Sequence, residues 1–143
     1  MFFGEFEYRV DDKGRVPLPP RFRIDLKDGV VVIPGAEKCL TAYSLPEWQK
    51  LAASLAGTGS ITPAKMRRLN RGIFGQAFSL ELDRQGRISL PAPLREYAGI
   101  TSGIVIAGVN TYLEFWSKNA WDQEKAASLA DEWQTIESLE RRP

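Results

Sequence analysis

Two short stretches of this chain carry charged residues at a spacing that could do chemistry. The first is Asp11-Asp12-Lys13-Gly14-Arg15-Val16-Pro17-Leu18-Pro19, and 72 residues later comes Asp83-Arg84-Gln85-Gly86-Arg87-Ile88-Ser89-Leu90-Pro91. In each, an aspartate can cap a tight turn and a glycine can supply the positive φ that the turn requires. The arginine that follows has no obvious duty in a turn, and for a single copy a solvated surface charge would be the plainer reading. Its recurrence with the same aspartate and glycine favours a functional one. A hairpin presenting Lys13 and Arg15 fits the DNA major groove, which admits a two-stranded ribbon and lets arginine pair bidentately with guanine. Each such pair is worth roughly 1–3 kcal/mol of discrimination between bases.

Other chemistry has little to stand on. The chain has no histidine and one cysteine, so a structural zinc site and an intrachain disulfide are not expected. Cys39 aligns with Tyr112 and reads as buried apolar filler. There is no thiol–base pair and no glycine-rich phosphate loop, and the carboxylates are scattered, so an enzyme is not expected and no cofactor is called for. Lys65, Arg67, Arg68 and Arg71 lie on one short segment and are secondary candidates for phosphate contact, against the plainer reading of a solvated linker helix.

The repeat extends well beyond the two turns. Phe6, Tyr8 and Val10 align with Phe78, Leu80 and Leu82, and Arg23 with Arg95. After a one-residue indel, Leu40, Tyr43, Ser44 and Trp48 align with Leu113, Trp116, Ser117 and Trp121. Residues 2–10 alternate, with Phe6, Tyr8 and Val10 on one face and Glu5, Glu7 and Arg9 on the other, as in a half-buried strand. Asp11 to Gly14 then reads as a turn, and Arg15 to Leu18 as the returning arm of a hairpin with Lys13 and Arg15 at its tip and Arg9 on the same outward face. Pro19-Pro20 opens a short helical turn, Val30–Ile33 and Leu40–Tyr43 read as strands, and Ser44 with Glu47 forms a capping box ahead of a helix to about Leu55. Thr62-Pro63 starts a basic helix that Gly72 should close. The second copy repeats the program, and Ser117 caps one long helix through about Leu139 whose stripe is Trp121, Leu129, Trp133 and Ile136. Trp48, Trp116, Trp121 and Trp133 read as core or subunit interface.

The expected class is α+β: two pseudo-symmetric units, each too small to bury both its faces, interlocking into one closed β structure. Boundaries fall at residues 1–55 for the first unit (core about 5–47), 56–73 for a linker with the basic helix, and 74–143 for the second (core about 76–119). Formal net charge is +1, with 12 Lys/Arg against 8 Asp/Glu in residues 1–76 and 7 against 10 in the remainder. A basic first half suits a polyanionic partner. No apolar run approaches a membrane span and the N-terminus lacks a signal-peptide pattern, so the expected location is cytoplasmic.

Phe-Gly-Glu-Phe near the start, followed by the two Asp-x-x-x-Arg stretches, resembles the MraZ family, bacterial transcriptional regulators related to the AbrB/SpoVT swapped-hairpin DNA-binding proteins. The resemblance covers nearly the whole chain. It implies two AbrB-like repeats forming a double-split β-barrel, assembly into a ring-like homo-oligomer, and location at the nucleoid. It further implies binding to direct repeats in double-stranded promoter DNA and repression of the division and cell-wall gene cluster that includes the chain's own gene. Carried onto this sequence, the motif residues are Asp11, Arg15, Asp83 and Arg87, with the arginines assigned to DNA and Asp11, Gly14, Asp83 and Gly86 to the turns.

The copies are not equivalent. Arg9, Lys13 and Arg21 are matched by Glu81, Gln85 and Pro93, while Arg84 replaces Asp12. The first hairpin is therefore expected to lead in DNA contact, with Arg84 secondary and Arg87 either a second contact or part of a subunit interface. Competing readings are a ring-forming assembly module without specific DNA binding, an antitoxin-like relative, and an enzyme using carboxylates at a protomer junction.

Overall fold

The computed structural model describes residues 1–57, 59, 61–129 and 131–140. Among these residues eight strands form: β1 (Glu5–Arg9), β2 (Arg15–Pro17), β3 (Val30–Pro34), β4 (Leu40–Ser44), β5 (Phe78–Leu80), β6 (Arg87–Ser89), β7 (Gly103–Val109) and β8 (Tyr112–Ser117). Five α-helices among the described residues join them: α1 (Leu45–Ala56), α2 (Pro63–Ile73), α3 (Ala92–Ala98), α4 (Lys118–Ser128) and α5 (Glu132–Glu140). The α+β class is as the patterning implied. One antiparallel sheet runs β1-β7-β8-β4-β3-β5, and a separate two-stranded ribbon pairs β2 with β6.

The expected hairpin is not a paired hairpin. β1 pairs with β7, from Glu5 opposite Ala107 to Arg9 opposite Gly103, and β2 pairs with β6. The turn itself closes, with Asp11 N–H donating to Arg15 O at 3.0 Å, but the next amide back, Val10 N–H, donates to Ser102 O in the other half. Alternation tells which face of a strand is buried, whereas the partner is chosen by where that face finds cover. β5 likewise leaves its own copy and pairs with β3. Replacing each strand by its repeat mate reverses the order of the large sheet onto itself, so a pseudo-two-fold axis passes between β4 and β8.

The core lies between the ribbon and one face of the sheet. Val16 and Ile88, cross-strand partners in the ribbon, are fully buried against Val30, Val32, Leu40, Ala42, Ile104, Ile106, Leu113 and Phe115 from the sheet. Leu18 and Leu90, just past the ribbon strands, and Phe22 and Leu94, on the short helical segments that follow, complete the layer. On the far face Cys39, Val105 and Trp116 form a smaller cluster with Trp121 of α4. Cys39 is buried, and its thiol donates to Ala36 O at 3.1 Å. Burial, then the nearby Glu114 carboxylate, pushes that thiol up to about 12.

Caps set the helix starts. Ser44, Thr62 and Ser117 accept from the backbone N–H of Glu47, Lys65 and Ala120. Glu47 gives its carboxylate to Lys50. Two expectations fail. Gly72 does not end α2, which runs to Ile73 with Phe74 N–H closing on Asn70 O at 2.8 Å. The single helix expected after Ser117 is two, α4 and α5, because the stripe that was to hold it down is buried only at its start. Trp121 packs on Trp116, whereas Leu129 is 64% and Trp133 72% exposed.

The ribbon pair yields a stability prediction. Ile88→Ala should lower unfolding free energy in urea by about 2–5 kcal/mol. Combined with Val16→Ala, it should lose less than the sum of the two single losses, because each vacates the other's contact. Additive losses would mean that the two side chains do not share a site.

Candidate nucleic-acid interface

The two turns are built alike, atom for atom. Asp11 Oδ1 accepts the backbone N–H of Lys13 (3.0 Å) and of Arg15 (2.8 Å), and Oδ2 accepts Arg15 Nε at 2.6 Å. Asp83 repeats this with Gln85 N–H (2.9 Å), Arg87 N–H (2.9 Å) and Arg87 Nε (2.8 Å). The reading that a fold has little need of the arginine is thus corrected: Arg15 and Arg87 close the turn by ion-pairing with the aspartate that starts it. A guanidinium has five N–H donors, so using Nε leaves four on the two Nη atoms. Those four have no protein partner among the described residues.

The ribbon brings the arginines together. Arg15 stands opposite Ser89 and Arg87 opposite Pro17, so both project from the face away from the buried Val16–Ile88 pair, on diagonal positions. Sequence reasoning assigned them to two separate hairpins, whereas they share one antiparallel ribbon about the pseudo-two-fold axis. The turns flank it at opposite ends, locked by Leu18 N–H to Gly86 O (3.0 Å) and Leu90 N–H to Gly14 O (2.9 Å). From the level of Gly14 to that of Gly86 is four residue steps, about 14 Å. Exposed Asp12 and Lys13 stand at one end, exposed Arg84 and Gln85 at the other.

Two further arginines belong to this construction, and the sequence reading aligned them without giving them work. Arg23 Nε donates to Leu18 O at 2.9 Å, and Arg95 Nε to Leu90 O at 3.0 Å. Each then reaches under the turn of the other copy. A Cβ at Gly86 would collide with the Arg23 side chain, and one at Gly14 would lie 3.2 Å from the Arg95 guanidinium. Both glycines also have left-handed φ, 77° at Gly14 and 74° at Gly86. The signal available in sequence was the 72-residue repeat of the arginine itself.

The remaining candidates lie apart. Arg9 is exposed but sits on β1, opposite Gly103, in the large sheet. The shared outward face with Arg15 required an unbroken hairpin and does not exist. Lys65, Arg67, Arg68 and Arg71 are all exposed on α2, whose Met66, Leu69 and Ile73 are half-buried. Phe74, just after that helix, stacks edge-on against Trp48 of α1 at 5.4 Å.

Hydrogen bonds from the backbone and side chain of Arg15 hold the Asp11 carboxyl below its ordinary value of 3.8, and Arg87 does the same for Asp83. A depressed carboxylate adds stability that is present above its unfolded value and disappears as pH falls through the folded one. Native protein should therefore be insensitive to these groups at neutral pH and lose their contribution below about pH 4. Asp11→Asn and Asp83→Asn should be less stable at pH 7 but lose less on acidification. Urea midpoints at pH 7 and pH 3 check this, and parallel losses in wild type and variants would contradict it.

The family model for "MraZ protein, putative antitoxin-like" matches residues 1–71 and 73–139. A protein of Dehalococcoides mccartyi named Transcriptional regulator MraZ is 57% identical over 141 residues, covering 98% of this chain and 99% of its own. Proteins of the same name from Herpetosiphon aurantiacus and Deinococcus radiodurans are 43% and 40% identical, each covering 92% of this chain and 91% and 92% of their own. With both Asp-x-x-x-Arg turns intact and the match running nearly end to end, this chain belongs to the MraZ family.

Proposed function

We propose that this chain is a transcriptional regulator that holds double-stranded DNA through the β2–β6 ribbon. One observation carries the reading: two arginines share a solvent-facing surface of one narrow ribbon, each steadied through Nε by an aspartate and each keeping its Nη donors uncommitted. A steadied guanidinium loses less side-chain freedom when it pairs with guanine O6 and N7 or with a phosphate. A ribbon of about 14 Å matches about four base steps at 3.4 Å each. The name shared by the relatives supports the same reading.

The finer assignments are part of the proposal. Arg15 and Lys13 lead, Arg87 and Arg84 follow, Arg9 makes flanking backbone contacts, and the α2 cations add sequence-independent attraction. The two sequence repeats, residues 1–55 and 74–143, act as one DNA-reading unit joined by the linker. The operator is a set of direct repeats upstream of the chain's own gene, in the division and cell-wall cluster, and binding there represses it in the nucleoid. Several protomers in a ring-like homo-oligomer would engage neighbouring repeats, so that weak single contacts combine. The exposed apolar residues of α5, with Trp133 72% accessible in the single chain, favour such self-association.

The test is a titration against DNA from upstream of the gene, beside scrambled DNA, at two salt concentrations. Arg15→Ala should weaken specific binding by about 5- to 150-fold and relax base preference, with a smaller loss for Arg87→Ala. Neutralising Lys65, Arg67, Arg68 and Arg71 together should make the salt dependence shallower without changing sequence preference. Equal weak binding to both DNAs by wild type and Arg15→Ala would leave the assembly-module reading in its place.

A further inference from the structure

The pseudo-symmetry of the fold breaks at one place, and there it leaves a cleft. In the first copy Phe2 is 4% exposed and packs edge-on against Phe22 at 5.0 Å between ring centres. Phe6 meets the same ring at 5.4 Å. A two-bond rung holds Phe2 there: its N–H donates to Asn110 O at 2.8 Å, and Asn110 N–H to Phe2 O at 2.9 Å. Beside this plug, the Arg21 guanidinium lies 5.2 Å from the Phe3 ring and 5.6 Å from the Phe6 ring, a cationic lid over the neighbouring rings.

The second copy keeps the socket and loses the plug. Phe74, the repeat mate of Phe2, is 37% exposed and turned onto Trp48, where the chain leaves α2. Gly75 stands for Phe3 and Pro93 for Arg21, so the lid is gone as well. The backbone that would receive a plug survives: Glu37, aligned with Asn110, has the same left-handed φ, 55° against 66°. Among the described residues no rung is made there. What results is a cleft of about 590 Å³ walled by Pro34, Phe78, Leu94 and Tyr97, a size ordinary for a ligand site. The Tyr97 hydroxyl is fixed on Gly35 O at 2.6 Å, and Lys38 Nζ stands 4.8 Å from its ring centre. Glu96 supplies the charged group of the lining and, among the described residues, makes no ion pair.

We propose that this cleft between β5 and α3 is a docking site for an extended peptide segment of a partner protein. The segment inserts an aromatic side chain beside Leu94 and Phe78, with a positive charge next to it facing Glu96. The molecule supplies the template in its own first copy, where an extended segment delivers an aromatic ring into the equivalent socket. The charge follows from the unpaired carboxylate at the mouth, which an amino group or a basic neighbour would satisfy.

The probe is a synthetic peptide copying Met1 to Phe6, with a free N-terminus and a fluorophore on its C-terminal amide, titrated with the full-length protein by anisotropy. Saturable binding is expected, weaker by about tenfold when both leading phenylalanines of the peptide are alanine. Acetylating its N-terminus should weaken binding to wild type several-fold, and Glu96→Gln should bind both forms alike. Pro93→Arg with Leu94→Phe, which restores the first copy's residues, should close the cleft and reduce binding by about tenfold or more. Failure to saturate at the highest protein concentration, or indifference to the phenylalanines, would overturn the proposal. If peptide affinity falls as protein concentration rises, a second copy fills the cleft and the foreign-partner assignment is wrong. The Glu96→Gln arm stands even where the double variant folds poorly, since Glu96 is exposed.

Discussion

The Asp11 carboxylate accepts three hydrogen bonds within five residues of chain, and on that the geometry of the exposed ribbon depends. A three-residue strand has too little backbone pairing to hold its own register, and a lone two-stranded ribbon is marginal in water. Here the turns at its ends are made rigid by side chains, and its inner face is anchored by Val16 and Ile88. Rigidity and presentation then come from the same atoms. The arginine that completes the turn is also the group left pointing donors outward.

Much of this was legible from residue types. Phe6, Tyr8 and Val10, or Val30 to Ile33, announce strands by periodicity, and Ser44, Thr62 and Ser117 announce helix starts, because these signals act over a few residues. Strand partners were not legible. Nothing local to Glu5–Arg9 says that its ladder lies with residues 103–107 and not with the strand just after the turn. The arginine pair was half legible: types and spacing marked Arg15 and Arg87, but their common face depends on the β2–β6 register. The role of Arg23 and Arg95 is long-range by nature, each guanidinium reaching beneath the other copy's glycine.

The differences between copies are as informative as the likeness. The buried positions Val16 and Ile88, Leu18 and Leu90, and Phe22 and Leu94 stay apolar, since both sets face one core. Exposed positions diverge freely: Lys13 against Gln85, Asp12 against Arg84. The two ends of the ribbon therefore differ in charge although their backbones match. A single chain with this inexact symmetry can favour one orientation on a duplex, which two identical subunits about a true dyad could not do.

The exchange of first strands also bears on how the molecule comes into being at the ribosome. Glu5 waits for Ala107 and Val16 for Ile88, and at about 5–20 residues per second the second copy follows the first by roughly 4–15 seconds. Through that interval the nascent first half carries Val16, Leu18 and Phe22 uncovered and an edge strand without its neighbour. During rapid synthesis the first halves of adjacent chains on one messenger are the nearest alternative partners. A fold that swaps strands within one chain therefore invites swapping between chains for as long as the late half is still being made.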